Sequence, residues 1–349
     1  MEHYPVFDNE YLSAVVTENT TNFKNYLAFA DIIVYNMQNK AEESREIPLT
    51  FFPIAKNIRM AASYMAKNVL EGKKTYIHNM ARPCEEADWK KGTGDDWFPW
   101  LWARGRVNNS KESFTNIEGW KCYFNSFTEK ANYLLSSYLP MTPPDELYIF
   151  FIYLSCTKYV FQLNASYKDM LMKYRVAMGW PVEEKVLAVQ IRRGDTCTRD
   201  GSTSDRPFFH LDKYIEKMDL MIEKNGYTHF YISTDSDEEI VELQRLRPEW
   251  KILSLPIDRS QFFRMDTEPG NIENLCAKYP ERIPFVVDSG LADLFFISQC
   301  QGYISTISVS EFSRCGWFMQ IVEQGELTPY INLNDEPLDM SKRDKLLLF

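Results

Sequence analysis

The stretch VLAVQIRRGDTCTRD, Val186–Asp200, carries the chain from an almost wholly apolar run into two adjacent arginines, a glycine and an acid. A short continuous apolar run that stops at turn residues reads as a strand buried on both faces, and such strands belong to parallel sheets covered by helices. The segments after it have the same grammar. A helix with Leu211, Ile215, Met218 and Ile222 on one face closes at Asn225-Gly226, and the strand THFYIS then leads into acidic TDSDEE and another helix. WKILSL is a third strand before a long loop, after which DSGLADLFFISQCQ reads as a helix, GYISTIS as a strand and SEFSRCGWFMQIV as a helix. Strands alternating with helices give an α/β fold with a doubly wound parallel sheet. Ligands of such sheets sit at the carboxyl ends of the strands, where IRRGD, STDSD and STISVSE all fall.

Upstream of WPVEEK the pattern is less regular, which places a domain boundary around Gly179–Lys185 and divides the chain into 1–180 and 181–349. Two domains also suit 349 residues. The first forty residues are irregular to helical, and AEESREIPLTFFP closes them with charge and prolines. Ile58, Ala61, Ala62, Met65 and Val69 keep helical spacing, Gly72 stands at the C-cap position, and KKTYIHNM is a short strand. WKKGTGDDWFPWLWARGRVNNSKESF mixes aromatics with glycine, proline and aspartate, as a long surface loop does. LYIFFIYLSCTKYVFQLNASYKDMLMKYRVAMG is helical.

Composition narrows the function from the other side. The chain is 45% hydrophobic and 25% charged, as a globular protein is, and its net charge of -10 argues against nucleic acid as the main partner while leaving room for a local anion pocket. Met1–Val16 lacks a basic segment followed by an apolar one, and no apolar run reaches the roughly 18 residues that span a bilayer. The chain therefore reads as soluble. The compartment stays open, the Golgi lumen if an anchor was trimmed or lies outside this chain and the cytoplasm otherwise. Seven scattered cysteines form no CxxC and no zinc spacing, and the sequons at Asn19, Asn108 and Asn164 matter only in a secreted setting. There is no GxGxxG, no Walker A sequence and no GxSxG, which removes the usual dehydrogenase, nucleotide triphosphatase and hydrolase readings.

The strand ends carry the candidate chemistry. Arg192 and Arg193 follow the strand directly, so alternation turns one of them to the strand-end crevice, where a planar guanidinium matches phosphate oxygens. The plain alternative is an arginine paired with Asp195 across a tight Gly194 turn. Asp235 and Asp237 form a DxD that could hold a metal on a diphosphate, but they also open a helix, where acids favour the dipole. A carboxylate there could equally accept from a ribose or a base. Ser308-Val309-Ser310-Glu311 fits a capping box with Glu311 reaching back to Ser308, and a serine-rich helix N-terminus is also an anion site.

IRRGD, FFHLDKYI, HFYISTDSDEEI and DLFFISQCQGYISTISVSEFSRCGWFMQ, in this order, resemble the nucleotide-binding half of α-1,6-fucosyltransferases and their relatives. That family carries an HxRRxD motif, a strand ending in a TDD-like turn, and a closing module of helix, strand, TFSSQ-like turn and helix that ends in MQ. GWKCYFNSFTE and IRMAASYMAKNVLEGKKTYI are similar to segments of its first domain, so the resemblance spans Ile54–Gln320.

It implies a GT-B arrangement of two facing Rossmann-like domains and an inverting, metal-independent transfer of fucose from GDP-fucose to a glycan or glycoprotein hydroxyl, with no cofactor. By the same resemblance Arg192 grips the β-phosphate, Arg193 and Asp195 brace the turn, Asp235 lies near the nucleoside, Ser308 or Ser310 near the phosphates, and Glu311 near the ribose. Counting eight residues from Arg192, as to the family's catalytic glutamate, reaches Asp200; Asp205, five residues before His210, is the second candidate base. Gln190 stands where the family has a guanine-contacting histidine, and Thr196 where it has a lysine. These departures keep open a donor such as a UDP-pentose, and a glycan-binding relative without catalysis.

Overall fold

The computed structural model of the chain describes residues 20–41, 44–47, 54–70, 72–77, 145–163, 165–194, 208–268, 275, 278–306 and 310–334. The chain divides into two compact units. One comprises Met1–Tyr167, Ile321–Leu327 and Pro337–Phe349, and the other Lys168–Gln320 and Thr328–Glu336. The aromatic-rich loop, the GWKCYFNSFTE segment and the asparagines of the three sequons lie outside the described residues. No helix among the described residues is long and apolar enough to cross a membrane.

The first unit contains helix α1 (Thr20–Lys40), strand β1 (Ser44–Ile47), helix α2 (Ile54–Leu70), strand β2 (Lys74–Ile77) and helix α3 (Asp145–Val160). The apolar stripe of α2 is buried, from Ile58 through Ala61, Ala62 and Met65 to Val69. The helix then stops at Gly72, whose φ of 75° is left-handed and whose N–H donates to the Val69 carbonyl at 3.0 Å. Strands β1 and β2 pair in parallel with Ser44 opposite Lys74. The Gln38 side chain serves β2 as a further pairing partner, accepting from the Thr75 N–H at 2.6 Å and donating to the Thr75 carbonyl at 3.0 Å. The long helical stretch further along the sequence is two helices, since the chain turns at Phe161 between α3 and helix α4 (Ala165–Ala177).

The second unit is built on strands β3 (Val186–Ile191), β4 (His229–Thr234), β5 (Lys251–Leu253), β6 (Gly302–Ser305) and β7 (Tyr330–Asn332), with helices α5 (Leu211–Asn225), α6 (Asp237–Leu246), α7 (Ile283–Ser298) and α8 (Glu311–Gln324) between them. All neighbouring strands are parallel and their order is β5-β4-β3-β6-β7. The fold class is therefore α/β with a parallel sheet. From β3 the chain winds outward through β4 to β5, then returns to β6 on the other side. The winding reverses between β3 and β6, and a crevice opens beyond strand ends at such a reversal.

The two faces of this sheet differ chemically. Leu187, Val189, Ile191, Phe230, Ile232 and Ile304 pack with Tyr214, Ile215, Met218 and Met221 of α5 in an apolar core. The alternate positions Gln190, Tyr231, Ser233, Tyr303 and Ser305 are also buried, but polar, and they turn to the face covered by α7 and α8. α8 is fixed there by Gln320, which donates to the Ile297 carbonyl at 3.1 Å and the Gly302 carbonyl at 3.0 Å and accepts from Thr328 at 2.5 Å. The glutamine of the MQ pair is thus a clamp between helix and sheet.

Candidate functional site

Arg192 and Arg193 leave the end of β3 in opposite directions. Arg193 goes inward. Its Nε donates to Glu239 at 2.6 Å and its Nη2 to the Phe209 carbonyl at 2.9 Å, while the guanidinium lies 4.5 Å from the centre of the Phe208 ring. Charge, carbonyl and aromatic face are all met, so this arginine locks the start of α5 to α6. Arg192 goes outward, with 35% of its side chain exposed, and its Nη1 stands 3.1 Å from Oδ2 of Asp235, which is 4% exposed. The other carboxylate oxygen of Asp235 accepts the Arg193 backbone N–H at 2.8 Å. One buried carboxylate therefore ties the end of β3 to the end of β4 and holds the partly exposed Arg192 side chain at the carboxyl edge of the sheet.

Gly194 is required by this closeness. A Cβ there would collide with Oδ2 of Asp235 and stand 3.0 Å from the Phe263 carbonyl oxygen, while the Gly194 carbonyl accepts the Met265 N–H at 2.9 Å. Phe263 offers backbone, so Asp235 would have to yield. Gly194→Ala is expected to displace Asp235 and to lower stability by about 1 to 3 kcal/mol, as measured by urea unfolding. Unchanged stability would show that the Asp235 side chain yields to a Cβ there without loss.

On the neighbouring strand β6 the chain passes into α8. Ser310 is the cap of that helix, its Oγ accepting the Ser313 N–H at 3.2 Å. The capping box expected between Ser308 and Glu311 involves a residue outside the described ones. Counted from Ser310 the N3 residue is Ser313, and Glu311 is the first residue of the helix, where its charge favours the dipole. Either serine can begin a capping pattern, and the sequence alone does not choose between them. Ser313 also donates to Oε1 of Gln190, so this carboxamide is oriented by the helix after β6. Asp195, Asp200, Asp205 and Ser308 lie outside the described residues.

Two charged residues that the sequence reading did not single out are buried beside these groups. Arg259, in the turn Arg259–Gln261 after β5, is 6% exposed and donates to the carbonyls of Thr234 and Leu255, to Ser254 and to Asp237. Asp237 at 3.1 Å from Nη1 is itself largely exposed. Each acid of the Asp235-x-Asp237 pair therefore meets an arginine. Asp293, on the sheet-facing side of α7, accepts from Tyr231 at 2.5 Å. Burial pushes its carboxyl up from 3.8 to about 6, against the opposing pull of the Tyr231 hydrogen bond, the Arg259 charge and the Ser233 hydroxyl. A lone acid inside the apolar segment LADLFFIS was the signal for Asp293; Arg259 had none.

No family model matches the chain, and no curated protein matches it. Solved structures do. NodZ α-1,6-fucosyltransferase soaked with GDP-fucose matches with a TM-score of 0.41 at 12% identity, over 80% of this chain and 93% of that one. POFUT1 in complex with GDP matches with a TM-score of 0.42 at 9% identity, over 84% and 99%. Fucosyltransferase NodZ from Bradyrhizobium matches with a TM-score of 0.30 at 13% identity, over 52% of this chain and 50% of that one. In that alignment, and in the one with POFUT1 carrying GDP-fucose, the chain spans about half of the other protein's length.

Cys156 belongs to the first unit and Cys300 to the second, and both are buried. Cys156 and Cys300 are held well above the usual thiol range by burial, so neither presents a thiolate.

Proposed function

We propose that the protein is an inverting glycosyltransferase of the GT-B type that moves fucose from GDP-fucose to a hydroxyl of a glycan or glycoprotein. The observation that carries this reading is Arg192. It is a partly exposed arginine held by a buried carboxylate at the end of β3, next to β6, where the sheet reverses and the chain enters a helix capped by Ser310. A fixed guanidinium and the amides of a helix start are what a diphosphate needs. The order of IRRGD, STDSD and the closing module, similar to that of the α-1,6-fucosyltransferase family, supports the same assignment.

In this mechanism the acceptor hydroxyl attacks the anomeric carbon as its proton passes to a carboxylate, Asp200 in preference to Asp205. The bond from that carbon to the β-phosphate oxygen breaks and its electron pair leaves on GDP. Arg192 stabilises the charge that develops there. Ser310 and the first amides of α8 serve the phosphates, Glu311 the ribose, and Arg193 and Asp195 hold the turn. The pairing of both DxD acids with arginines supports a transfer that needs no metal. A second reading keeps the fold and changes the donor, because the Gln190 carboxamide, set by Ser313, replaces a histidine at the base.

Calorimetric titration with GDP-fucose, GDP and a panel of UDP-sugars, all in EDTA, tests these readings together. Metal-free binding of GDP and GDP-fucose is expected. Preference for a UDP-sugar would select the second reading, binding that needs a divalent cation would return the DxD to a metal, and no binding of any nucleotide would leave a non-catalytic glycan-binding protein.

A further inference from the structure

Arg259 is an arginine with almost no solvent contact and an unusual set of partners. Its Nε donates to the Thr234 carbonyl at 3.0 Å, its Nη2 to the Leu255 carbonyl at 3.1 Å and to the Ser254 hydroxyl, and its Nη1 to Asp237 at 3.1 Å. Thr234 is the last residue of β4 and Asp237 the first of α6, so one guanidinium grips both ends of the turn whose second residue is Asp235. The turn's own bonds are sparse, with Thr234 Oγ1 accepting the Ser236 N–H at 3.2 Å. Arg259 is in turn fixed from below, since Asp258 caps its short helix by accepting from the Ser260 N–H at 3.1 Å.

Surface ion pairs are worth little, and Asp237 is too exposed to justify burying an arginine. The carbonyl bonds explain it better. They hold β4's end against the loop after β5 at the point from which Asp235 reaches Arg192 and the Arg193 N–H. A rigid fork also meets several acceptors at fixed angles, which a lysine cannot do.

We infer that Arg259 is a positioning residue for the anion site: it fixes the Thr234–Asp237 turn, the turn fixes Asp235, and Asp235 fixes the guanidinium of Arg192. Its positive charge also lies near enough to Asp293 to draw that carboxyl down, so it shares in offsetting the acids buried at this end of the sheet. The functional half of this inference rests on the diphosphate reading of Arg192, but the mechanical half does not.

Two measurements separate the halves. Amide hydrogen exchange in Arg259→Met, compared with wild type at a temperature where both are folded by circular dichroism, is expected to quicken roughly tenfold at the Arg193 N–H, with Val189 in the middle of β3 unchanged. An unaltered Arg193 amide, or equal loosening along all of β3, would overturn the positioning role whatever the ligand. GDP titrations of Arg259→Met, Asp235→Asn and the double variant form a cycle. Each single change is expected to weaken binding roughly tenfold, and the double variant little more than either, because both act through one carboxylate. Additive losses would mean that Arg259 acts by another route. Arg259→Lys is expected to fall between wild type and Met. If wild type binds no GDP while the exchange result holds, the diphosphate reading fails and the mechanical link stands.

Discussion

Arg192→Ala is expected to lower the proposed fucosyl transfer by about a hundredfold to a thousandfold while leaving the fold in place. Arg192 lies beyond the last residue of β3 and 35% of its side chain is exposed, so little packing is lost with it. Asp235 keeps its bond to the Arg193 N–H but loses the cation at Oδ2, so a lowered melting temperature in a still folded protein is expected beside the kinetic loss. What disappears is the partly exposed cation that this framework holds at the strand ends. If a diphosphate leaves there, the charge on its oxygen loses its counterpart in the transition state, and kcat should fall at least as far as donor affinity. Arg192→Lys keeps the charge without the fork and should recover part of the loss. Steady-state transfer assays with varied donor, run beside thermal melts, decide the matter. Transfer within a few-fold of wild type in a folded Arg192→Ala protein would remove the assignment.

The parts of this architecture that the sequence announced are those where one segment carries its own signal. Strand β3 is apolar except at Gln190 because both of its faces are covered, and α5 shows its stripe and its Gly226 cap in consecutive residues. Strands β1 and β7 gave no such signal. SREI and YIN are short and half polar, and they are strands because β2 and β6 lie alongside them. The site obeys the same rule. IRRGD, STDSD and the serine-rich turn before α8 were legible as strand ends, whereas the cap at Ser310 depends on which N–H the folded turn presents. Arg259 reads in sequence as one more polar residue in a loop, since its partners at Thr234, Asp237 and Leu255 come together only when β4 and β5 pair.

Asp293 offers the second large effect, on stability. Burial leaves its carboxyl with a folded-state value of about 6 against 3.8 for an ordinary aspartate, so between these limits the native state holds a proton that the unfolded chain releases. The stability this supplies is complete below about pH 4 and lost as the pH rises through 6. At about 1.4 kcal/mol per unit, a gap of roughly two units is worth about 3 kcal/mol. An asparagine in its place would have the shape of the protonated acid, still accept from Tyr231, whose hydroxyl is kept protonated by burial, and never ionise. Asp293→Asn should therefore match wild type near pH 4 and exceed it by about 3 kcal/mol at pH 7, with the difference opening between pH 4 and 6. Taking the difference between the two proteins in urea titrations cancels the other carboxylates, which lose stability in the opposite direction as the pH falls. A difference that stays flat from pH 4 to 7 would show that Asp293 ionises as an exposed acid does. A stabilised variant would show that the native chain gives up stability to keep a carboxylate at the sheet face beside Asp235, where an amide would pack equally well, and groups held at such a cost cluster at functional sites.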